Sequence, residues 1–429
     1  MEKLNEDFII NLSNNKGEPL WMKNFRLNSY KKFLELDNPS FGPKINIDFD
    51  NLVYHKGLFA PPSCSWENVD KKVKNTFNDL GVIEAENKYL KGVSNQYESE
   101  VVYHKMEESD GIIFLSTDEA LKKYPELFEK YFNNLVKYDE NKYTALNGAL
   151  WSGGSFIYIP PYTKVDRPLQ SYFRIDTKNL GQFERTIIIV DHDSSLHYIE
   201  GCTAKNYSTT SLHAGVVEIY VGKNSTCKYS TIQNWSKDVY NLVTKRAILE
   251  EGAYMQWVDG NIGSGVTMKY PSCILKGDNS KASSISIAYA KEGQHLDAGA
   301  KMIHLGKNTK SNIISKSIAG FGGTSDYRGT VKIAKDATGS FATIKCDNII
   351  LDNMSSSNTY PKNIVENNES TLEHEATISK INEEKLNYLM SLGISEDAAK
   401  DLYVLGFMSD FKKSLPMEYA VELNRLIKE

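Results

Sequence analysis

Short apolar stretches, rich in β-branched and aromatic residues, follow one another from Ala149 to about Ile364. They recur roughly every 14 residues, separated by Gly, Asn, Asp and Ser, which is typical of an all-β region with many short strands. No strict sequence repeat accompanies this spacing, so a sandwich, a barrel and a β-helix are all compatible with it. The length of the region favours the β-helix, because each further turn adds core without a limit on length.

The sequence on either side of this region has a helical pattern. We predict an N-terminal region of helices and loops at 1–148, a β core at 149–365 and a C-terminal helical region at 366–429.

Local signals mark several helix ends. Ser116 and Glu119 have the spacing of a capping box, which predicts a helix start. Gly393 and Gly406 are predicted to end two helices of the C-terminal region. Pro416 is predicted to begin a third helix in "PMEYAVELNRLI", since proline suits the first helical position.

Composition excludes several classes of function. A net charge of -5 and a pI near 6.0 give no global basic footprint for nucleic acid. The first residues carry acids where a signal peptide has a basic region, and no apolar run reaches the roughly 20 residues of a membrane helix.

The five widely spaced cysteines contain no C-x-x-C pair, which argues against a disulfide framework and a closed zinc site and indicates a reducing compartment. No P-loop motif is present, so we expect no ATP binding of that type by this chain.

The stretch "STLEHEATISKI" is the first candidate site. In a strand, Glu373 and Glu375 would lie on one face and His374 on the other. Cys346 alternates with apolar residues in "FATIKCDNII", so it is predicted to face apolar neighbours. Thiolate, imidazole and carboxylate together suit iron or an iron–sulfur cluster at least as well as zinc. A polar strand edge and a buried structural thiol are the alternatives.

The other cysteines differ in their surroundings. Cys202 follows a glycine in "HYIEGCTAK", and we interpret this as a strand ending at a turn, where a thiol would be exposed enough to accept sulfur. Cys227 and Cys273 are predicted to be structural, and Cys64 to lie in an exposed loop after two prolines. Lys245 is predicted to be a strand-borne cation that needs a partner if it is buried.

Motifs along most of the chain, from about Glu18 to the end, together resemble the SufB/SufD family of the SUF iron–sulfur cluster assembly machinery. The motifs that carry the resemblance are "EPLWMKNFRLNSYKKFLEL", "ALWSGGSFIYIPPYTKVDRPLQSYFRI", "GQFERTIIIVD", "HYIEGCTA", "TIQNW", "NLVTKRA", "YRGTVKI", "KCDNIILD", "HEATISKI" and "PMEYAVELNRLI".

The resemblance implies a mainly β fold, a right-handed parallel β-helix flanked by N- and C-terminal helical regions. It implies a scaffold for de novo iron–sulfur cluster assembly rather than an enzyme. A SufC-type ABC ATPase would dock on the C-terminal region, and SufD or a second copy of a SufB-like chain would pair with the β-helix. A cysteine desulfurase and a sulfur carrier would bring persulfide sulfur, in the cytoplasm or, in a eukaryote, in the stroma of a plastid-type organelle.

The resemblance also assigns roles to residues. Cys202 corresponds to the sulfur entry point. The family's internal sulfur path corresponds to Arg174, Gln233, Trp235 and Lys245. A transient cluster, expected to be of the 4Fe-4S type, would be built by Cys346 and Glu375, with His374 and Glu373 adjacent. Reduced FAD is associated with such complexes as an electron source, and we assign it no site.

The sequence departs from the family at Asp176, where asparagine is common, which places a charge beside the expected path. Two rival interpretations are a SufD-like structural subunit without a cluster and a β-helix carbohydrate-active enzyme that uses Glu373 and Glu375. "KCD", "HEA" and "GQFERT" argue against the first, and the lack of an export signal argues against the second.

Overall fold

Two β-sheets face each other over most of the chain, and the polypeptide passes back and forth between them. The structure, a computed structural model, describes residues 3–107, 111–206 and 210–412. Its strands form a parallel β-solenoid of about eight turns with helices at the N- and C-terminal ends. The predicted β-helix with helical flanks is therefore confirmed.

The first sheet contains ten strands. In spatial order they are β2 (Glu100–Met106), β1 (Gly92–Tyr97), β5 (Leu169–Ile175), β8 (Ser195–Ala204), β11 (Thr226–Asn234), β13 (Tyr254–Asn261), β16 (Lys281–Ala290), β18 (Lys310–Ala319), β20 (Phe341–Ile350) and β22 (Thr371–Lys380).

The second sheet contains twelve strands. They are β21 (Ser356–Val365), β19 (Thr324–Ile333), β17 (His295–His304), β14 (Val266–Lys269), β15 (Ser272–Leu275), β12 (Val239–Leu249), β10 (Val216–Val221), β9 (Ser211–His213), β7 (Arg185–Val190), β6 (Gly181–Gln182), β4 (Ser155–Ile159) and β3 (Ile113–Ser116).

The helices lie outside the two sheets. They are α1 (Glu6–Lys16), α2 (Leu20–Glu35), α3 (Lys71–Asp79), α4 (Val82–Tyr89), α5 (Thr117–Lys123), α6 (Pro125–Tyr131), α7 (Lys142–Leu150), α8 (Glu383–Ser391), α9 (Glu396–Phe407) and α10 (Ser409–Lys412). In the described part of the chain, no helix combines the length and the apolar character needed to cross a membrane.

The register explains the spacing of the strands in the sequence. Lys281 pairs with Lys310, Lys310 with Phe341, and Phe341 with Thr371, which are steps of 29, 31 and 30 residues. Each turn therefore takes about 30 residues and contributes a strand to each sheet. Two strands per turn account for the spacing of roughly 14 residues in the sequence.

Most apolar side chains that point between the sheets belong to one large core cluster. It includes Tyr198, Tyr229, Trp257 and Tyr327, all buried and all at alternate positions of their strands. The outer faces are covered by helices: Val404 of α9 belongs to a cluster with residues of the first sheet.

The solenoid is longer than the predicted β core. Strands β1, β2 and β3 lie within the region 1–148 predicted as helices and loops, and β22 lies within the region 366–429 predicted as helical. The helical part of the C-terminal region begins at Glu383.

The predicted helix ends have different outcomes. Ser116 caps α5 by accepting a hydrogen bond from the Glu119 amide at 3.2 Å, which confirms that start. Gly393 follows α8 with a positive φ of 86°, as a glycine after a helix often does. Gly406 does not end α9, which continues to Phe407. The predicted helix at Pro416 lies outside the described residues.

The two ends of the solenoid differ. At the N-terminal end, β2 and β3 run antiparallel to their neighbours β1 and β4. At the other end, among the described strands, β21 pairs with β19 alone and β22 with β20 alone. Both last strands are largely exposed, and Tyr360 and Ile378 are 43% and 50% accessible.

Candidate functional site

Cys202 lies inside the solenoid and not at an exposed turn. It is in β8, has 1% of its surface exposed, and shares its face of the strand with Tyr198 of the apolar core. The preceding Gly201 pairs in register with Tyr172 on one side and Ile232 on the other, so the glycine is in mid-strand. The expected exposure of Cys202 was therefore wrong.

Glu200 connects Cys202 to a buried cation. The Cys202 thiol donates a hydrogen bond to Glu200 Oε1 over 3.7 Å, and Lys245 Nζ donates to the same oxygen over 3.1 Å. The Tyr229 hydroxyl donates to the other carboxylate oxygen of Glu200. Side-chain exposure is 0% for Lys245 and 1% for Glu200, so this is an ion pair removed from water.

A second ion pair lies next to the first. Lys269 Nζ is 2.8 Å from Asp259 Oδ1 and donates to Gln233 Oε1 over 3.2 Å. Asn241 donates to the same Gln233 oxygen over 2.8 Å. Gln233 Nε2 and Trp235 Nε1 are buried donors without a hydrogen-bond partner in the described structure, so both are free to bind a group that enters the interior.

The electrostatic environment holds Cys202 as a thiol. Burial, and then the negative charge of Glu200, raise the pKa of Cys202 well above its ordinary value, although Lys245 acts in the opposite direction. Burial alone would raise the pKa of Glu200, but Lys245 and the hydrogen bond from Tyr229 outweigh it and lower that pKa. In the unloaded protein, Lys245 is therefore the ion-pair partner of Glu200 and not of Cys202.

The structure brings together four of the five residues predicted for sulfur entry and transfer. Cys202, Gln233 and Lys245 point into the interior, and Trp235 packs in one cluster with Cys202. Arg174 does not join them.

Arg174 lies on the outer face of β5. It shares that face with Tyr172, which packs against residues of α3 and α4. Its guanidinium donates to Thr203 Oγ1 over 3.1 Å and to Asp176 Oδ1 over 3.0 Å. The unusual Asp176 is therefore the ion-pair partner of Arg174 and also accepts a hydrogen bond from Tyr97.

The second predicted set is divided between the two faces of the first sheet. Cys346 is fully buried in the core, and burial is the main cause that raises its pKa to about 12. His374 pairs with Ile344 and lies on the same face as Cys346, and its Nδ1 is 3.0 Å from Asn363 Nδ2.

The two glutamates are on the opposite, outer face. Glu375 pairs with Lys345 in register, and its Oε2 is 3.7 Å from Lys345 Nζ, while Glu373 pairs with Thr343. The expected separation of the glutamates from His374 is confirmed. Among the residues the structure describes, no group of three or more His, Cys, Asp or Glu is placed to hold a metal ion, so Cys346 and Glu375 are not joined by a third such ligand in that part of the chain.

Sequence reasoning missed four members of the interior site: Glu200, Tyr229, Asp259 and Lys269. Strand alternation contained a signal for one of them, because Glu200 stands two residues before Cys202 and so shares its face.

The fold and the interior site together define a class of protein. It is a parallel β-solenoid with helices at both ends that holds buried thiols beside paired charges. A family model for the core domain of SufB and SufD in SUF-system iron–sulfur cluster assembly matches residues 173–407. A model for the N-terminal region of SufB and SufD proteins matches residues 68–171. The chain belongs to the SufB/SufD family of iron–sulfur cluster assembly proteins.

The chain is also similar to whole proteins of this family over nearly its entire length. The chain is 53% identical to the iron–sulfur cluster assembly protein SufB of Bacillus subtilis, over 99% of this chain and 92% of the relative. It is 54% identical to SufBD family proteins of Staphylococcus saprophyticus and Staphylococcus aureus, with the same coverage.

Proposed function

We propose that the chain is a scaffold that receives persulfide sulfur at Cys202 and builds a transient iron–sulfur cluster from iron and sulfide. We place this cluster at the open end of the solenoid, which is the end formed by β21 and β22. The observation that carries this proposal is the shared interior: Cys202 and Cys346 both point between the two sheets, at different turns of one solenoid. A path for sulfur from the first thiol to the second would therefore run through the interior of the solenoid.

The interior between these thiols suits an anionic persulfide near Cys202. Lys245 and Lys269 are the nearby cations, each already paired with a carboxylate, and Gln233 and Trp235 supply free hydrogen-bond donors. Interactions of this kind are strong in a site without water, because the effective dielectric constant is low. Arg174 would act from outside the sheet, by supporting the strand next to β8.

The open end of the solenoid suits cluster assembly at a subunit interface. Cys346 and His374 face the same side of the sheet near this end, and the described part of the chain supplies no complete ligand set. A partner β-solenoid, SufD or a second copy of this chain, would pair with β21 and β22 and complete the ligands. Glu375 and Glu373 would serve as outer-face ligands or as contacts to that partner. The expected product is a transient cluster of the 4Fe-4S type.

The remaining partners follow from what this chain lacks. A SufC-type ATPase, docked on the C-terminal helices, would supply the energy of ATP hydrolysis. A cysteine desulfurase, through a sulfur carrier, would supply the persulfide in the cytoplasm, and reduced FAD would supply electrons.

The test uses anaerobic assembly with single cysteine variants. Cys202→Ser is expected to abolish persulfide uptake from a desulfurase, and Cys346→Ser to leave uptake intact but abolish the visible thiolate-to-iron absorption after addition of iron. Cys273→Ser is the matched control, because Cys273 is an equally buried thiol that accepts a hydrogen bond from Trp257 in the apolar core. Full cluster assembly by Cys346→Ser would overturn the assignment of that residue, and undiminished uptake by Cys202→Ser would overturn the entry point.

A further inference from the structure

Lys245 donates hydrogen bonds to Glu200 and, over 3.5 Å, to the Tyr229 hydroxyl, and Glu200 in turn accepts one from Cys202. Its Nζ is 3.1 Å from Glu200 Oε1, and that same oxygen accepts the Cys202 thiol hydrogen over 3.7 Å. Glu200 therefore lies between the reactive sulfur and the cation. The Tyr229 ring, with its centroid 4.5 Å from Lys245 Nζ, further fixes the position of the cation.

Both buried lysines of this site already have carboxylate partners. The next buried lysine, Lys269, is paired with Asp259 at 2.8 Å. Burial raises the pKa of Glu184, whose Oε1 is 3.6 Å from His213 Nε2. Tyr198 and Tyr229 also face the site, and burial raises the pKa of both well above the ordinary value. A persulfide anion on Cys202 would be a second negative charge beside a single cation, and an uncompensated buried charge is strongly disfavoured.

We propose that Glu200 and the persulfide of Cys202 exchange places as the anionic partner of Lys245, so that sulfur loading moves a proton onto Glu200. This inference rests on the proposed function, in which Cys202 accepts sulfur. In the unloaded protein Glu200 is ionised and paired with Lys245, and Cys202 is a neutral thiol. In the loaded protein Glu200 is protonated, and Lys245 pairs with the terminal sulfur.

The step balances in atoms and charge. The sulfur of Cys202 attacks the outer sulfur of a donor protein persulfide, R–S–SH; a new S–S bond forms, the donor S–S bond breaks, and the donor leaves as R–SH with the thiol proton. Cys202–S–SH then gives its own proton to Glu200 Oε1 and becomes Cys202–S–S⁻. The transferred sulfur keeps its oxidation state, so no oxidant or reductant is required. Transfer of this sulfur onward returns the proton and restores the ion pair.

The exchange gives Glu200 a role in controlling reactivity. While Glu200 is ionised and paired with Lys245, its negative charge raises the pKa of Cys202 by more than Lys245 lowers it, and thiolate is the reactive form of cysteine. Once Glu200 is protonated, Lys245 is free to stabilise the persulfide anion, which is the product of sulfur transfer.

Infrared difference spectroscopy tests the proton movement directly. The full chain is loaded with inorganic polysulfide, and the addition of sulfur to Cys202 is verified by peptide mass. The loaded-minus-unloaded spectrum is expected to show the carbonyl stretch of a protonated buried carboxylic acid, which is absent from Glu200→Gln. Loading of Cys202 without this band would overturn the proposal. If Cys202→Ser takes up as much sulfur as the wild type, the proposed entry point is wrong, which is a different result.

A titration of the unloaded protein gives a second, independent readout. In Glu200→Gln, Lys245 is left to stabilise the thiolate, so the ultraviolet thiolate titration of Cys202 is expected to move about 1 to 3 units toward lower pH. Glu200→Gln/Lys245→Gln should lose this shift, whereas a merely loosened core would keep it and would also expose Cys227. An unchanged titration in Glu200→Gln would contradict the proposed competition for Lys245.

Discussion

Removal of Lys245 should destabilise the solenoid in a strongly pH-dependent way. In Lys245→Met, the carboxyl of Glu200 keeps its hydrogen bonds from Tyr229 and Cys202 but loses its cation, in a site where its side chain is 1% exposed. A buried carboxylate without a partner costs about 3–5 kcal/mol, or it takes up a proton instead.

The protonation of Glu200 sets the sign of the pH dependence. In the variant the folded-state pKa of Glu200 is expected to rise above its unfolded value of about 4.3, so the folded state binds more protons than the unfolded state. The free energy of unfolding then falls as the pH rises, by about 1.4 kcal/mol per pH unit until the folded pKa is reached. The deficit against the wild type should be small at about pH 5 and approach the 3–5 kcal/mol range by about pH 8.

Urea unfolding, followed by tryptophan fluorescence at a series of pH values, measures this deficit. Lys245→Met/Glu200→Gln is the matched control, because it removes both charges and should be less destabilised than the single variant at about pH 8. A deficit in Lys245→Met that does not change between about pH 5 and pH 8 would refute the reasoning, since it would show that loss of packing and not an unpaired carboxylate is the cause.

Three further predictions concern other parts of the chain. Glu140 accepts two hydrogen bonds from Arg246, at 2.7 and 2.8 Å; partial burial opposes its ionisation, but Arg246 outweighs burial and lowers the pKa of Glu140. The stability advantage of wild type over Glu140→Gln, about 0.5–1 kcal/mol in thermal unfolding at neutral pH, should therefore vanish as the pH falls through that lowered pKa. Gly299→Ala should lower the melting temperature, because its Cβ would lie 1.8 Å from the Arg328 carbonyl oxygen, whereas Gly406→Ala in α9 meets nothing within 4 Å and should add about 0.5–1 kcal/mol. Ile378→Lys on β22 should abolish pairing with a second β-solenoid in analytical ultracentrifugation while leaving the melting temperature within a few degrees; unchanged pairing would exclude the open end as the interface.

The alternating character of the strands could be predicted from sequence because it is a local property. The period-two pattern correctly placed Cys346 among apolar residues and Glu373 and Glu375 opposite His374. The turn at Gly201 was predicted wrongly, because a glycine in mid-strand and a glycine at a turn look alike until the neighbouring strands are known.

The corners of the solenoid repeat in backbone geometry, but different residues occupy equivalent positions, so the repeat is hard to see in the sequence. Asn224, Gly252, Asn279, Asn308 and Gly339 all have positive φ values between 55° and 69° and follow one another at intervals of one turn. The amides of the first four donate to a carbonyl oxygen of the next corner, as Asn279 does to Lys307 at 2.9 Å. Asparagine and glycine both tolerate this left-handed conformation, so the corner is repeated in geometry but not in sequence.

The interior site could not be predicted, because its contacts join distant parts of the chain. Lys245 and Glu200 are 45 residues apart and meet across the space between two sheets. Strand alternation predicts that both side chains point inward. Which inward side chains meet depends on how the turns of the solenoid are stacked, and the stacking depends on the length of each corner between the two residues.

The two ends of the solenoid offer different strand edges to a second chain. Strands β2 and β3 close the first end with reversed direction, and Ser63 forms a further bridge to Tyr103 on β2. A head-to-tail stack, in which the open end of one chain extends the first end of the next, would need parallel addition to edges that are already reversed or covered. The pairing of two open ends that the proposed function includes would be isologous, with the same strands contributed by both chains. In such a pair the twenty residues of β21 and β22 would be used by the contact itself, so a third chain would find no open end left free.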